Sequence, residues 1–320
     1  MEEYSCKTPV ALIFFGRPDT FKQVFEKVRK AKPHKLYLIQ DGPRNENDKE
    51  NIAKCREIAE SVDWDCEVVK DYSDTNLGCG VRPQSGISNV LKKEDRVIIL
   101  EDDCIPCDSF FPYCEEMLEK YKDDERIAYV SGLNHFEEWD AGEDDYFFTK
   151  TGAIWGWATW ARVWNKYYDY YVEGVNDRRT VDMLKTQIPN SYIAKSKIES
   201  WKRANLSAKN GEKLSYWDIQ WGFVKYSQSM LVIVPKYNQI TNIGVGATST
   251  HATSKRNKNK FIKYKNFVFV PTKNLTFPLK HPEFCICDEK YDNLVYKCTA
   301  GNPVRRKVAK FVKKILRRKK

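Results

Sequence analysis

The segment Val97-Ile98-Ile99-Leu100-Glu101-Asp102-Asp103 places three consecutive carboxylates directly after four apolar residues. An apolar run of this kind is typical of a parallel strand buried on both faces. Carboxylates at the end of such a strand are partly desolvated and repel one another, which is costly unless a cation joins them. Oxygen ligands suit Mg²⁺ or Mn²⁺, which usually take one or two protein carboxylates and complete their coordination with phosphate and water. The segment therefore predicts a metal site for a diphosphate-bearing ligand; a solvated loop at a strand end is the alternative.

Short apolar runs alternate with amphipathic helical patterns through the first 130 residues. The pattern predicts strands at 10–15, 35–39, 65–69 and 96–100, and helices at 19–30, 48–61 and 84–92. This alternation indicates an α/β fold with a mostly parallel sheet and helices on both faces. In such sheets ligands bind beyond the carboxyl ends of the strands. We therefore expect the strand-end groups Gly16-Arg17-Pro18 and Gln40-Asp41-Gly42 to lie beside Glu101-Asp102-Asp103.

The second half of the chain is rich in aromatic residues, with four tryptophans inside ten positions: Trp155, Trp157, Trp160 and Trp164. Helical patterns follow at 191–207 and 217–230, and then a short strand at 231–234. Because no linker composition interrupts residues 1–252, we expect one domain there, with a nucleotide-side half (8–131) and an acceptor-side half (132–252). A C-terminal extension (253–302) and a basic tail (303–320) complete the predicted organisation.

The positive charge of the chain is concentrated in its tail. The formal net charge is 54 − 44 = +10, and residues 303–320 contain ten Lys or Arg and no acid. Within the tail, Val304, Val308, Phe311, Val312 and Ile315 recur at helical spacing. A basic amphipathic helix is typical of a segment that binds an anionic membrane surface. Nucleic-acid binding and a purely solvated tail are the alternatives; the neutral body favours the membrane.

The composition also bears on the cellular compartment. No run approaches the roughly 18–20 apolar residues that span a bilayer, and Glu2 and Glu3 stand where a secretory signal would be basic. The ten cysteines are therefore expected to be reduced structural thiols, with zinc at Cys104/Cys107 or Cys285/Cys287 as the alternative. We expect a cytoplasmic protein, peripheral on the inner face of the cell membrane.

Seven short blocks give the chain a resemblance to a known family. In order they are Phe14-Phe15-Gly16-Arg17-Pro18-Asp19, Gln40-Asp41-Gly42-Pro43-Arg44, Asn76-Leu77-Gly78-Cys79, Val97 to Asp103 with Ser109-Phe110-Phe111, Trp155-Gly156-Trp157-Ala158-Thr159-Trp160, Trp217-Asp218-Ile219-Gln220-Trp221, and Asn242-Ile243-Gly244 with Thr250-His251. Together they span roughly residues 8 to 252 and resemble GT-A glycosyltransferases, with a Rossmann-like fold. The likeness is strongest to bacterial nucleotide-diphospho-sugar transferases related to N-acetylglucosaminyltransferase I. One departure is Gly16, where members of the family usually carry Asn.

The resemblance implies how the donor is bound. Arg17 would contact the donor phosphate or base, and Asp41 would hydrogen-bond uracil or a similar base; the alternatives are a surface ion pair for Arg17 and a simple turn at Asp41. Arg82, which follows Gly78-Cys79-Gly80-Val81, could also reach the donor phosphates.

The resemblance also implies how the metal is bound. Asp103 would be the direct metal ligand, while Asp102 and Glu101 would position ribose or metal-bound water. His251 would reach the metal or the diphosphate, with a purely structural role as the alternative.

On the acceptor side, Asp218 is the predicted general base that deprotonates the acceptor hydroxyl. Trp217 and Trp221 flank it at i−1 and i+3, and together with Trp157 they are predicted to bind the acceptor sugar by stacking. The alternatives are a helix N-cap for Asp218 and core packing for the tryptophans.

These expectations combine into one predicted activity. It is an inverting, metal-dependent glycosyltransferase that moves a sugar from a nucleotide-diphosphate sugar, such as a UDP-sugar, to a hydroxyl of a surface glycan or lipid-linked acceptor. The competing hypotheses are a nucleotidyltransferase that makes an activated sugar and a non-catalytic glycan- or membrane-binding protein.

Overall fold

A computed structural model describes residues 4–244 and 267–300 of the chain. The strands are β1 (Val10–Phe14), β2 (Lys35–Gln40), β3 (Glu67–Tyr72), β4 (Arg96–Glu101), β5 (Cys104–Pro106), β6 (Ile127–Ser131), β7 (Tyr146–Thr149), β8 (Trp157–Trp160), β9 (Leu231–Pro235) and β10 (Ile240–Asn242). The α-helices are α1 (Pro18–Ala31), α2 (Glu46–Glu60), α3 (Gly78–Leu91), α4 (Phe110–Lys120), α5 (Ala161–Tyr167), α6 (Arg178–Thr186), α7 (Ser191–Lys209), α8 (Asp218–Ser227) and α9 (Glu289–Ala300). His251 and the tail at 303–320 lie outside the described residues.

The predicted fold class is confirmed. An eight-stranded sheet runs in the order β3-β2-β1-β4-β8-β6-β9-β7. Parallel pairing joins β3, β2, β1 and β4, and also β6 and β9, whereas β8 and β7 pair antiparallel with their neighbours. The sheet is therefore mostly parallel. A separate antiparallel pair, β5 with β10, lies beyond the end of β4.

Hydrophobic burial explains why the first strands and helix form where they do. Every residue of β1 is buried, as a strand covered on both faces requires. In α1 the residues at helical spacing, Phe21, Val24, Phe25 and Val28, are all fully buried. Pro18 starts this helix, where its missing N–H costs nothing.

The aromatic second half completes the same sheet. Strand β8 pairs with β4, so that Trp157 lies opposite Ile99 and Trp160 lies opposite Arg96. The segment 267–300 also packs on this core, which includes Leu275 and Tyr291. The described part of the predicted C-terminal extension therefore belongs to the same packed unit. None of the helices in the described ranges has the length and apolar character needed to cross a membrane.

One helix differs from the prediction in a way that matters for the site. Helix α3 begins at Gly78, six residues before the predicted start at 84. Leu77, at its N-cap position, provides no side-chain cap. Instead the Asp41 carboxylate, at the end of β2, accepts the N–H groups of Leu77 and Gly78 at 2.8 Å each. The first N–H groups of a helix have no partner within the helix. Because the Asp41 carboxylate accepts two of them, the helix can begin earlier than the local sequence predicts.

Candidate active site

The end of β4 carries the predicted acidic cluster, which we define as Glu101, Asp102 and Asp103. Asp102 is 4% exposed and Asp103 is 8% exposed. The Asp102 N–H donates to the Ile13 carbonyl at 3.0 Å, which holds the cluster against the end of β1. The Arg17 guanidinium, just after β1, forms ion pairs with both aspartates, at 2.9 Å from Asp103 Oδ2. Among residues 4–244 and 267–300, Arg17 is therefore the cation that pairs with this group of three carboxylates.

The pKa values of Glu101 and Asp102 are raised by burial first and by neighbouring carboxylates second. Burial raises the pKa of Glu101 to about 8, with further upward contributions from the Asp103 and Asp102 carboxylates. Burial also raises the pKa of Asp102, although Arg17 opposes it. The cluster thus lies in an environment that disfavours additional negative charge and favours a second cation.

Strand β10 and the residues after it enclose Asp103. The Asn242 side chain donates to Asp103 Oδ1 at 3.2 Å, and the Ile243 N–H donates to the Asp103 carbonyl at 2.9 Å. A Cβ built on Gly244 would overlap the Asp103 carboxylate. The block Asn242-Ile243-Gly244 therefore packs on the predicted metal ligand, a role that its sequence alone does not show.

The oxygen donors of the cluster suit a hard cation. Within residues 4–244 and 267–300, no group of three or more His, Cys, Asp or Glu side chains is arranged to hold a metal ion. Mg²⁺ and Mn²⁺ often use only one or two protein carboxylates and take their other ligands from phosphate and water. Asp103, with the surplus negative charge around it, fits that mode of binding.

Asp41 and Arg82 both hold backbone segments at the edge of the site. Besides the start of α3, the Asp41 carboxylate accepts the Gly42 N–H at 2.9 Å and the Asn76 side chain at 3.0 Å. Arg82 is 4% exposed; it donates to the Gln40 carbonyl at 3.1 Å and lies 2.7 Å from the Asp71 carboxylate. The structure shows positioning roles for both side chains, and their direct contact with a donor stays a prediction.

Asp218 approaches the cluster from the other half of the chain. It is the first residue of α8 and is exposed, while Trp217 occupies the N-cap position. The segment before α8 packs on the start of α3, because the Cys79 thiol donates to the Ser215 carbonyl at 3.0 Å. The Asp218 carboxylate contributes to the raised pKa of Glu101. The start of α8 therefore lies near the start of α3, and Asp218 is close enough to Glu101 for the two carboxylates to interact electrostatically.

The three tryptophans that were predicted to stack on the acceptor sugar are buried in the core. Trp157, Trp217 and Trp221 are 0%, 5% and 2% exposed. Their rings pack on one another, with centroids 5.6 Å apart for Trp157 and Trp217 and 6.0 Å apart for Trp157 and Trp221. Trp164, Tyr168 and Tyr129 extend this aromatic cluster. No face of the three predicted rings is open to a sugar, so core packing is the role that the structure supports.

Comparison with known proteins adds little to this geometry. The chain matches no protein-family model and no curated protein. Among solved structures, a UDP-glucose pyrophosphorylase complexed with UDP-glucose is 9% identical with a TM-score of 0.34, over 73% of this chain and 91% of the other. Residues 1–349 of TarS from S. aureus are 10% identical with a TM-score of 0.39, over 73% of this chain and 59% of that fragment. At such scores neither likeness identifies an activity.

Proposed function

We propose that the chain is an inverting, metal-dependent glycosyltransferase that uses a nucleotide-diphosphate sugar, with a UDP-sugar as the expected donor. The observation that supports the proposal is that Asp218, at the start of α8, interacts electrostatically with the acidic cluster at the end of β4. Asp102 and Asp103 of the acidic cluster are buried beside Arg17, whereas Asp218 is exposed and acts electrostatically on Glu101. One buried and one accessible carboxylate group suit two different tasks.

On the donor side, the cluster would receive the diphosphate. Asp103 would hold Mg²⁺ or Mn²⁺ with phosphate oxygens, and His251, from outside the described residues, would be a further ligand. When bound, the metal supplies positive charge that stabilises the departing nucleoside diphosphate. Arg17 supplies a second positive charge, and its planar guanidinium matches phosphate geometry. Asp102 keeps that guanidinium at the end of β1 through their ion pair.

On the acceptor side, Asp218 would accept the proton of the attacking hydroxyl. Transfer with inversion needs one enzyme carboxylate as a general base, and that base must reach the acceptor oxygen. The exposed position of Asp218 at the start of α8 leaves it accessible from the crevice. The acceptor would be a surface glycan or a lipid-linked sugar at the cytoplasmic membrane face, approached through the basic tail.

A donor panel tests the proposal directly. The full chain is incubated with a set of nucleotide sugars and Mn²⁺, and release of nucleoside diphosphate is measured. We expect turnover of at least one donor, loss of turnover with EDTA, and loss in Asp103→Ala and in the milder Asp103→Asn. Asp218→Asn should lose turnover but keep donor binding. Asp123→Asn, an exposed acid from another acidic run, is the matched control and should behave as wild type.

Three results would contradict the proposal. Turnover that survives both EDTA and Asp103→Ala would exclude the metal role. Release of pyrophosphate from a nucleoside triphosphate and a sugar 1-phosphate, supplied in a parallel reaction, would indicate a nucleotidyltransferase. Donor binding without turnover of any sugar, unchanged in Asp218→Asn, would indicate a non-catalytic binding protein.

A further inference from the structure

Helix α8 buries a lysine that has no carboxylate partner among the described residues. Lys225 is 6% exposed. Its ammonium contacts the Tyr129 hydroxyl at 3.4 Å and lies 5.6 Å from the Tyr129 ring centroid and 5.5 Å from that of Tyr226. That hydroxyl itself donates to the Gly152 carbonyl at 2.6 Å. A buried ammonium with a single neutral hydrogen-bond partner is poorly compensated.

A second lysine from α7 reaches the same place. The Lys197 ammonium lies 5.3 Å from the centroid of the Tyr226 ring, so one aromatic ring lies next to both ammonium groups. Lys197 interacts electrostatically with Asp218 and also with Lys225. It is therefore near enough to both the predicted general base and the buried lysine to interact with each. No described carboxylate forms an ion pair with either lysine.

One position on the face of α8 that carries these groups is open. Residues 218 and 225 are seven positions apart, which places them on the same face of the helix about 10.5 Å apart along its axis. Gly222 lies on this face between them. A Cβ built on Gly222 would meet no atom within 4 Å. There is space above the helix at Gly222, which lies about one turn from Asp218 and about one turn from Lys225.

We infer that this face of α8 is an anion-binding subsite, formed by Lys197, Lys225 and the space above Gly222, which holds a phosphate or carboxylate group of the acceptor. Calling the ligand an acceptor rests on the proposed function; the anion site itself does not. An anionic group held there would place a neighbouring hydroxyl of the same molecule within the reach of Asp218. A phosphate-linked or uronic-acid-containing glycan is the substrate class with this chemistry.

The described aspartate that acts on Lys225 does not remove the need for an anion. Asp292 acts on Lys225 electrostatically, but its carboxylate already accepts from Thr151 at 2.7 Å, from the Lys150 N–H at 3.0 Å and from the Cys287 thiol at 3.2 Å. Asp292 lies beyond ion-pair distance of Lys225, within the part of the chain that the structure describes.

Titration calorimetry with sulfate and acetate tests the inference. Sulfate is a tetrahedral oxyanion that does not titrate at pH 8, and acetate stands for a carboxylate. The full chain is titrated in chloride buffers of constant ionic strength, with and without saturating UDP. We expect saturable binding of the preferred anion that UDP does not displace. Stronger binding of sulfate would point to a phosphate-bearing acceptor, and stronger binding of acetate to a carboxylate-bearing one.

The matched variants are Lys225→Met, Lys197→Met and, as control, Lys202→Met at an exposed position of α7. Because a hydrogen bond to a charged group is typically worth a factor of about ten to one hundred, each of the first two should weaken anion binding by at least about tenfold. The control should stay within about twofold, and UDP affinity should not change in any variant.

Proton uptake provides a readout that a purely structural lysine would not show. Burial and Lys197 lower the pKa of Lys225 to about 7, so a bound anion should raise it and draw in a proton at pH 8. The charged or titratable groups that face Lys225 are Lys197, Tyr129, Tyr226, Cys287 and Asp292. Uptake is measured from the heat of binding in two buffers of different ionisation enthalpy, and Lys225→Met should abolish it.

Several outcomes would overturn the inference. They are the absence of saturable anion binding to wild type, displacement of the anion by UDP, and equal affinity in wild type and the two lysine variants. If Lys225→Met does not fold, the anion affinity of Lys197→Met, a substitution at a partly exposed position, decides the question. If UDP fails to bind while lysine-dependent anion binding persists, the proposed donor fails and the anion subsite stands.

Discussion

Replacement of Lys225 by Met should stabilise the protein and remove a pH dependence. The folded-state pKa of Lys225 is about 7, lowered from 10.5 by burial and by Lys197. Each unit of pKa shift corresponds to about 1.4 kcal/mol, so ionising this lysine in the folded state costs about 5 kcal/mol at most. Since the residue is 6% exposed, solvent screening removes little of this cost. Met has nearly the same shape without the charge.

The direction in which the free energy of unfolding changes with pH follows from the protons that Lys225 binds in the folded and unfolded states. Between pH 7 and 10.5 the unfolded chain keeps the proton on Lys225 while the folded chain releases it. The unfolded state then binds more protons, so this group makes the free energy of unfolding rise with pH across that window. At pH 7 the penalty is nearly complete, and Lys225→Met should be more stable than wild type by about 3 kcal/mol, after about 1 kcal/mol is subtracted for the lost Tyr129 contact.

Urea unfolding of both proteins from pH 7 to 9, in chloride buffers, measures the difference. The difference in the free energy of unfolding should shrink by about 1.2 kcal/mol per pH unit, because the cost of the charged Lys225 in folded wild type falls as the lysine loses its proton. Taking the difference cancels the titration of cysteines and tyrosines that both proteins share. Lys202→Met should run parallel to wild type within about 0.5 kcal/mol. A difference that is constant with pH, or a Lys225→Met protein that is less stable throughout, would refute the assignment of a strained buried ammonium.

Three further substitutions probe the backbone and the cluster. Gly222→Ala should raise the free energy of unfolding by about 0.5–1 kcal/mol in urea titrations, because the helix gains a better former and the added Cβ meets open space. The same methyl group should weaken anion binding. Gly244→Ala, whose Cβ would overlap the Asp103 carboxylate, should lose about 1–3 kcal/mol of stability in the same assay, together with donor turnover. Asp41→Asn replaces an acceptor of four N–H groups by an amide that faces them with its own N–H, so its thermal unfolding should show a loss of about 3 kcal/mol.

The apolar pattern was sufficient to predict the parallel strands β1, β2 and β4. The apolar runs of β1, β2 and β4 and the buried stripe of α1 encode burial directly in residue type and spacing. Because parallel strands end at the same edge, the pattern also brings Arg17 next to Asp102 and Asp103. The local sequence is enough to predict these strands and this helix, because each of them buries its own apolar residues.

Other features required the three-dimensional arrangement of distant segments. The start of α3 depends on Asp41, which lies 36 positions before Leu77 in the chain. The tryptophans near Asp218 could have lined a surface or filled a core; the insertion of β8 between β4 and β6 enclosed them. Lys197 and Lys225 meet only because α7 packs on α8. Residue type sets what a side chain can do, but exposure and pairing depend on which distant segments pack against it, and local periodicity carries no record of that packing.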